Sequence, residues 1–187
     1  MEITYSNATL DDAYGICYVS AHSWKETYTG LLPDDYLNNR IVTIPDKVDK
    51  TKKFLKEFKG TYIVAKDDSK VVGILAFGPA QEEQYKDYGH IEAIYVLKDY
   101  QGLGIGKELF KRAVTGLKEM GYSKLQLECM TGNDTINFYK KYTGEIVSQI
   151  DYPIKTVGTV KADIVLFKNI DEVISLLSDI KKRDLSN

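Results

Sequence analysis

The sequence predicts an α+β fold, and three observations carry that prediction. Helical apolar spacing fills residues 9–58, a hairpin and a glycine-rich strand–turn–helix–strand unit follow, and two further strands and a helix close the chain. The apolar period changes from about 3.6 to 2 near residue 60, with no Pro/Gly/Ser-rich linker at the change. The 187 residues therefore read as one domain spanning 1–187. A chain of this size buries roughly 70% of its unfolded surface and needs neither disulfides nor metal to hold a core.

Residues 2–5 alternate as a short strand, with Ile3 and Tyr5 on one face. Thr9 and Asp12 have the spacing of a capping box, hydroxyl and carboxylate satisfying free N–H groups of a new helix. Ala13, Ile16, Cys17, Ser20, Ala21 and Trp24 form that helix's single buried stripe, and Gly30 stops it. Pro33 opens a second short helix. A third, over about 45–58, has Val48, Thr51, Leu55 and Phe58 on one face. Residues 61–66 and 70–77 flank Asp67, Asp68 and Ser69 as a hairpin. A polar loop at 78–89 leads to a strand at 90–97, a glycine turn at 101–106 and a helix reaching Met120. That helix buries Leu109, Phe110, Ala113, Val114 and Leu117, and Gly121 caps it. In the strand at 124–130, Leu125, Leu127 and Cys129 alternate with Gln126, Glu128 and Met130. A short helix over 133–142, strands near 145–150 and 158–167, and an amphipathic helix over 171–182 complete the order.

Composition removes several function classes. Lys+Arg 25 against Asp+Glu 27 leaves a net charge of −2, without the basic excess that holds duplex nucleic acid. The two cysteines, Cys17 and Cys129, and the two histidines, His22 and His90, have no metal-ligand spacing, so no metal is expected. Two lone thiols suit a reducing compartment. Residues 1–5 lack signal-peptide features, and no apolar run approaches a membrane span. The expectation is a cytoplasmic protein with neither nucleic acid nor membrane as partner.

The turn Gln101-Gly102-Leu103-Gly104-Ile105-Gly106-Lys107 is the most informative stretch. Free N–H groups at a helix N-terminus attract phosphate oxygens, and glycines let a pyrophosphate approach without Cβ clashes. A Walker A loop is excluded, because Gln101 stands where its first glycine belongs and Glu108 follows Lys107. A dinucleotide fingerprint fails at Lys107 or Leu109, depending on where it starts. The pattern Arg/Gln-x-x-Gly-x-Gly/Ala is met by Gln101, Gly104 and Gly106.

With His90-Ile91-Glu92-Ala93-Ile94-Tyr95-Val96 before the turn and Asn133-Asp134-Thr135-Ile136-Asn137-Phe138-Tyr139 after it, the chain resembles the GNAT superfamily of acyl-CoA-dependent N-acetyltransferases. The likeness covers about 60–167, and residues 22–33 look like the entrance segment of many bacterial members. It implies a mixed, mostly antiparallel central sheet with splayed parallel strands and flanking helices, the N-terminal helices of about 9–58 lying on the acceptor side. It also implies acetyl-CoA as donor, its pyrophosphate on N–H groups from Leu103 to Lys107, with Gln101, Gly102, Gly104, Ile105 and Gly106 forming the turn. The pantetheine arm would lie along Ile94, Tyr95 and Val96 like an added strand, with Asn133 and Tyr139 further along the same groove. Thr135 and Thr143 depart from the residues usual there, small and glycine respectively, without removing a chemical group.

Acetyl transfer to an amine needs a proton acceptor, since neutralising an alkylammonium at pH 7 costs about 4–5 kcal/mol. Glu92 inside the pantetheine strand is the candidate base, and His90 on the same face competes with it. A solvated or lysine-paired glutamate and a structural histidine are the plain alternatives. Tyr139 is the family's usual general acid toward the CoA thiolate, with Phe138 the better packing residue. Asn133 either bonds the pantetheine or caps its helix. Trp24, Tyr28 and Tyr36 are candidates for an acceptor wall whose ring faces favour a cation. Glu82, Glu83 and Asp87 are candidates for drawing in an amine, although Trp24 also extends a buried stripe and acidic loops are commonly just solvated. The expected acceptor is a small-molecule, polyamine or peptide amine, and a homodimer is compatible with this reading. The rivals are an acyl-CoA-binding sensor, which needs neither Glu92 nor Tyr139, and an adaptor using the fold alone.

Overall fold

The computed structural model describes residues 2–183. Strand β1 (Ile3–Asn7) leads through a short 3₁₀ turn into α1 (Ala13–Tyr28), followed by α2 (Asp34–Val42) and α3 (Ile44–Glu57). The Thr9–Asp12 contact is present, the Asp12 carboxylate accepting from the Thr9 N–H at 2.8 Å and from its hydroxyl at 3.0 Å. Ala13, Ile16, Cys17 and Ala21 are buried as expected, but so are Val19 and Ser23, while Ser20 and Trp24 are only half-buried. A single stripe does not describe α1, because it packs against the sheet on one side and against α2 and α3 on another.

Strands β2 (Thr61–Asp67) and β3 (Lys70–Pro79) form the expected hairpin, and β4 (Gly89–Val96) pairs antiparallel with β3. Helix α4 (Ile105–Glu119) buries Ile105, Leu109, Phe110, Ala113, Val114 and Leu117 against the sheet, and β5 (Leu125–Met130) follows. The short helix α5 is confined to Ile136–Lys140, not 133–142, because the Asn133 side chain binds the Thr135 N–H at 2.9 Å and holds the preceding residues in a turn. Strand β6 (Glu145–Ile154) runs four residues past the expected end, since β7 (Gly158–Phe167) offers it backbone partners down to Gly158. Helix α6 (Ile170–Arg183) packs on α4. Among the described residues no helix is long and apolar enough to cross a membrane.

Among the described residues seven strands lie in the order β1-β2-β3-β4-β5-β7-β6, and of their pairings only β4–β5 is parallel. That pairing covers only Gly89–Leu125, His90–Gln126 and Ile91–Leu127, after which the two strands part. From residue 92 onward the edge of β4 that faces β5 has no strand partner among the described residues, so a groove opens in mid-sheet.

One charge interaction fixes the N-terminal layer to this sheet. Asp12 is buried, 2.6 Å from the Lys66 ammonium. Burial pushes its carboxyl up, but the Lys66 and Thr9 hydrogen bonds outweigh it and hold the group below its usual range. A depressed carboxyl stabilises the fold above its unfolded pKa of about 3.9, and that contribution is lost as pH falls through the folded value. Asp12→Asn is therefore expected to cost about 1–3 kcal/mol at pH 7. Urea unfolding should show the gap to wild type closing below about pH 4; a gap independent of pH would mean the loss is one of packing.

Candidate active site

The groove is a cleft of about 520 Å³ between the diverging strands, floored by Ile91 and Leu127 and walled by α4, α5 and the end of α1. Glu92, Ile94, Tyr95, Val96, Gln101, Gly102, Gly104, Gly106, Lys107, Asn133 and Tyr139 all line it, as does Tyr28. Leu103 and Ile105 do not: the first is 53% exposed, the second sits in the core, so either reaches the cleft only through backbone.

The turn before α4 is shaped by its glycines. Gly102 and Gly104 have φ of 77° and 82°, which non-glycine residues rarely adopt. Gly106 is helical, and a Cβ there would meet only the Val96 side chain at 3.9 Å. Nothing in the protein's own packing demands glycine at 106; the space it leaves is cleft. The Gln101 amide donates to the Val96 carbonyl at 3.1 Å and ties the turn to the end of β4. The α4 dipole and its first N–H groups thus point into the groove, as an anion site requires.

Halfway along the cleft, β4 is irregular. Ala76 faces Ala93 but Phe77 faces Ile91, so Glu92 is the extra residue of a β-bulge. The bulge falls where β4 leaves β5, and Glu92 and Glu128 are the first residues beyond the last parallel pair, Ile91–Leu127. The two carboxylates therefore flank the mouth of the splay. Glu92 lies 3.3 Å from His90 Nε2, and that hydrogen bond holds its carboxyl below the usual range against a partial loss of solvent. Glu128 moves the other way: burial raises its pKa, and repulsion from Glu82 and Glu92 adds to this against the opposing pull of His90.

Tyr139 lies in the cleft wall, 5% exposed, with its ring against Phe110 at 5.7 Å. Burial pushes its hydroxyl well above the ordinary tyrosine range, so it keeps its proton throughout neutral pH. The neighbouring Cys129 thiol is pushed up to about 11, by burial first and by Asp163 second, which leaves it no thiolate near neutrality. The Asn133 side chain accepts from the Thr135 N–H at 2.9 Å in the turn before α5, whose N-cap is Thr135, while Asn133 itself lines the cleft.

A second, narrower cleft of about 210 Å³ joins the first at Tyr28, Ile91, Glu92, Tyr95 and Glu128. Trp24 lines it, with the Arg40 guanidinium 4.0 Å over one face of its ring. Tyr36 is not in the lining. Of the three acidic loop residues only Glu82 reaches the cleft, while Glu83 pairs with Lys86. Sequence reasoning missed Glu128 and Tyr152, which line these clefts. Glu128 was legible only as the outward half of an alternating strand, and Gln126, expected on that same side, is fully buried.

Comparison with known proteins follows the same lines. A sequence model of the acetyltransferase (GNAT) family matches residues 22–144. An uncharacterized N-acetyltransferase of Bacillus subtilis, YuaI, is 31% identical over 155 residues, 83% of this chain and 87% of that protein. In fold, the chain is similar to the PaiA N-acetyltransferase of Thermoplasma acidophilum, solved with coenzyme A (TM-score 0.65, 20% identity, 87% and 98% of the two chains). It is equally similar to yncA of Salmonella typhimurium, solved with acetyl-CoA (TM-score 0.65, 16% identity, 91% and 95%).

Proposed function

The chain belongs to the acetyltransferase (GNAT) family, and from that premise we propose that it transfers the acetyl group of acetyl-CoA directly to a primary amine. The observation that carries the reading is the single cleft that joins a glycine-lined helix N-terminus, an unpaired β4 edge, a protonated tyrosine and two carboxylates. The first N–H groups of α4 and Lys107 would hold the donor's pyrophosphate. The free backbone of residues 92–96 would take the pantetheine amides as an added strand takes its neighbour. That register delivers the thioester to the bulge, where the second cleft brings the amine.

At the junction the residues divide the proton work. Glu92 and Glu128 face the incoming ammonium, and the carboxyl with the higher pKa is the better acceptor. The Tyr139 hydroxyl, protonated at working pH, supplies the hydrogen bond or proton that the departing thiolate needs. A Cys129 acyl relay is not part of the scheme, because its thiol stays protonated. Two free, buried cysteines fit work in a reducing, cytoplasmic setting.

Gly106→Leu tests the donor site. A Cβ there meets only Val96, at 3.9 Å, and leucine favours the helix by up to about 1 kcal/mol, so thermal stability should hold or rise. The same side chain fills the space assigned to the pyrophosphate, and losing hydrogen bonds to one charged group should weaken CoA binding about 10–100-fold by calorimetry. Undiminished CoA affinity in a folded Gly106→Leu protein would remove the donor from this turn.

A further inference from the structure

Among the described residues, Ser23 Oγ, Arg40 Nε, His90 Nδ1 and Gln126 Oε1 are buried side-chain atoms without a hydrogen-bond partner. Of these four residues only Ser23 lines the larger cleft. It is 2% exposed. A serine inside a helix can donate to the carbonyl four residues back, as Ser178 does to Ile174 at 2.9 Å and Thr29 to Lys25 at 2.5 Å. Ser23 makes no such bond to Val19. Its hydroxyl is turned off its own helix, and the larger cleft is the space that its side chain borders.

The course of α1 places that hydroxyl at one end of the cleft. Ile16, Val19, Ser23 and Thr27 recur at helical spacing on one face. Ile16 and Val19 belong to the main core, whereas Ser23 and Thr27 line the cleft, so the stripe turns polar where it passes from one to the other. The same turn of helix carries Trp24 and Tyr28, which line the narrower cleft, Tyr28 lining both. Its side chains are thus divided, hydroxyls toward the larger cleft and rings toward the narrower one. This turn stands at the junction of the two clefts, which Glu92 of the bulge also lines from β4. The glycine turn, by contrast, lines the larger cleft alone.

Resting on the acetyltransferase reading above, we infer that Ser23 positions the acyl end of the donor, its Oγ–H donating to the thioester carbonyl oxygen of acetyl-CoA. In the proposed register the pantetheine amides meet the backbone of β4, and the thioester reaches the junction where Ser23 stands. There the carbonyl oxygen is the donor's remaining strong acceptor, since sulfur accepts hydrogen bonds only weakly. The hydroxyl keeps its proton, and no bond forms or breaks at Ser23. Fixing the carbonyl sets which face of the thioester carbon meets an amine arriving from the narrower cleft. Spent CoA lacks that carbonyl, so the same hydroxyl favours the loaded donor over the discharged one.

Calorimetry with acetyl-CoA and with CoA, in the absence of amine, on wild type, Ser23→Ala and Ser23→Cys tests this. Both substitutions are expected to weaken acetyl-CoA about 3–10-fold, the net worth of one neutral hydrogen bond, and to leave CoA affinity unchanged. Cysteine keeps a side chain of similar size, so a loss shared by both variants comes from the hydroxyl and not from a cavity. The melting temperature of unliganded Ser23→Ala should hold or rise by up to about 4 °C, because alanine removes an unpaired buried hydroxyl and suits the helix. Equal weakening of CoA and acetyl-CoA puts the hydroxyl on the pantetheine arm and overturns the inference. An acetyl-CoA affinity that survives either substitution overturns it as well, and a lowered melting temperature beside intact affinities makes Ser23 a packing residue. In those outcomes the acetyltransferase reading stands. If the wild-type protein binds neither acetyl-CoA nor CoA, that reading falls and the inference falls with it.

Discussion

Tyr139→Phe is expected to lower turnover about 10²–10⁴-fold, the usual yield of a positioned proton donor, with little change in acetyl-CoA affinity. The substitution is well suited to separate chemistry from packing. The Tyr139 ring lies in an aromatic cluster with Phe110 at 5.7 Å, Phe138 at 5.5 Å and Phe167 at 6.3 Å. Phenylalanine keeps every one of those contacts, so the fold and the cleft wall are unchanged. Only the hydroxyl goes, and among the described residues that hydroxyl has no hydrogen-bond partner. On the proposed function, the partner of that hydroxyl is the donor in the cleft that Tyr139 lines. Stopped-flow release of CoA thiol at saturating acetyl-CoA and amine measures the effect. Unchanged turnover would make Tyr139 a packing residue and leave thiolate protonation to water.

The glycine turn proposed for the donor was legible in the sequence because its signals are local. Gln101, Gly104 and Gly106 act through backbone conformation, and three glycines between an apolar strand and an amphipathic helix admit few other readings. The hairpin and the helices other than α5 were legible for the same reason. What failed was non-local. The bulge at Glu92 exists only through its register with Phe77, and the closeness of Glu128 to Glu92 exists only through the Ile91–Leu127 pair. Strand β6 reaches Ile154 because β7 pairs with it there, on an edge whose exposed side chains carry no apolar alternation. The acceptor cleft draws Trp24 from α1, Glu82 from a loop, Glu128 from β5 and Tyr152 from β6. No window of sequence contains that set. Trp24 shows the cost of reading such residues singly, since its spacing gave no sign that Arg40 lies over one face of the ring.

Glu128→Gln should lower turnover about 10²–10⁴-fold near neutral pH, and Glu92→Gln by less. Both carboxylates flank the junction, so the assignment turns on basicity. Hydrogen bonding to His90 depresses Glu92 and makes it a poor proton acceptor. Burial, with repulsion from Glu82 and Glu92, raises Glu128 and makes it the better one, although His90 works against this. With Glu128 as base, the wild-type rate climbs with pH through its raised pKa, and Glu128→Gln abolishes that limb. Its deficit should shrink at high pH, where the amine arrives already neutral. The neighbours then move the limb in opposite directions. Glu92→Gln removes a negative charge that raises Glu128, so the limb shifts to lower pH; His90→Gln removes the group that lowers Glu128, so it shifts to higher pH. A merely structural role for Glu128 yields no such opposed pair of shifts. If Glu92→Gln loses the limb and Glu128→Gln keeps it, the proton goes to Glu92, as the position of that residue in its strand first suggested. If all three variants keep the wild-type profile, ordered water carries the proton away and the splayed strands contribute charge and backbone alone.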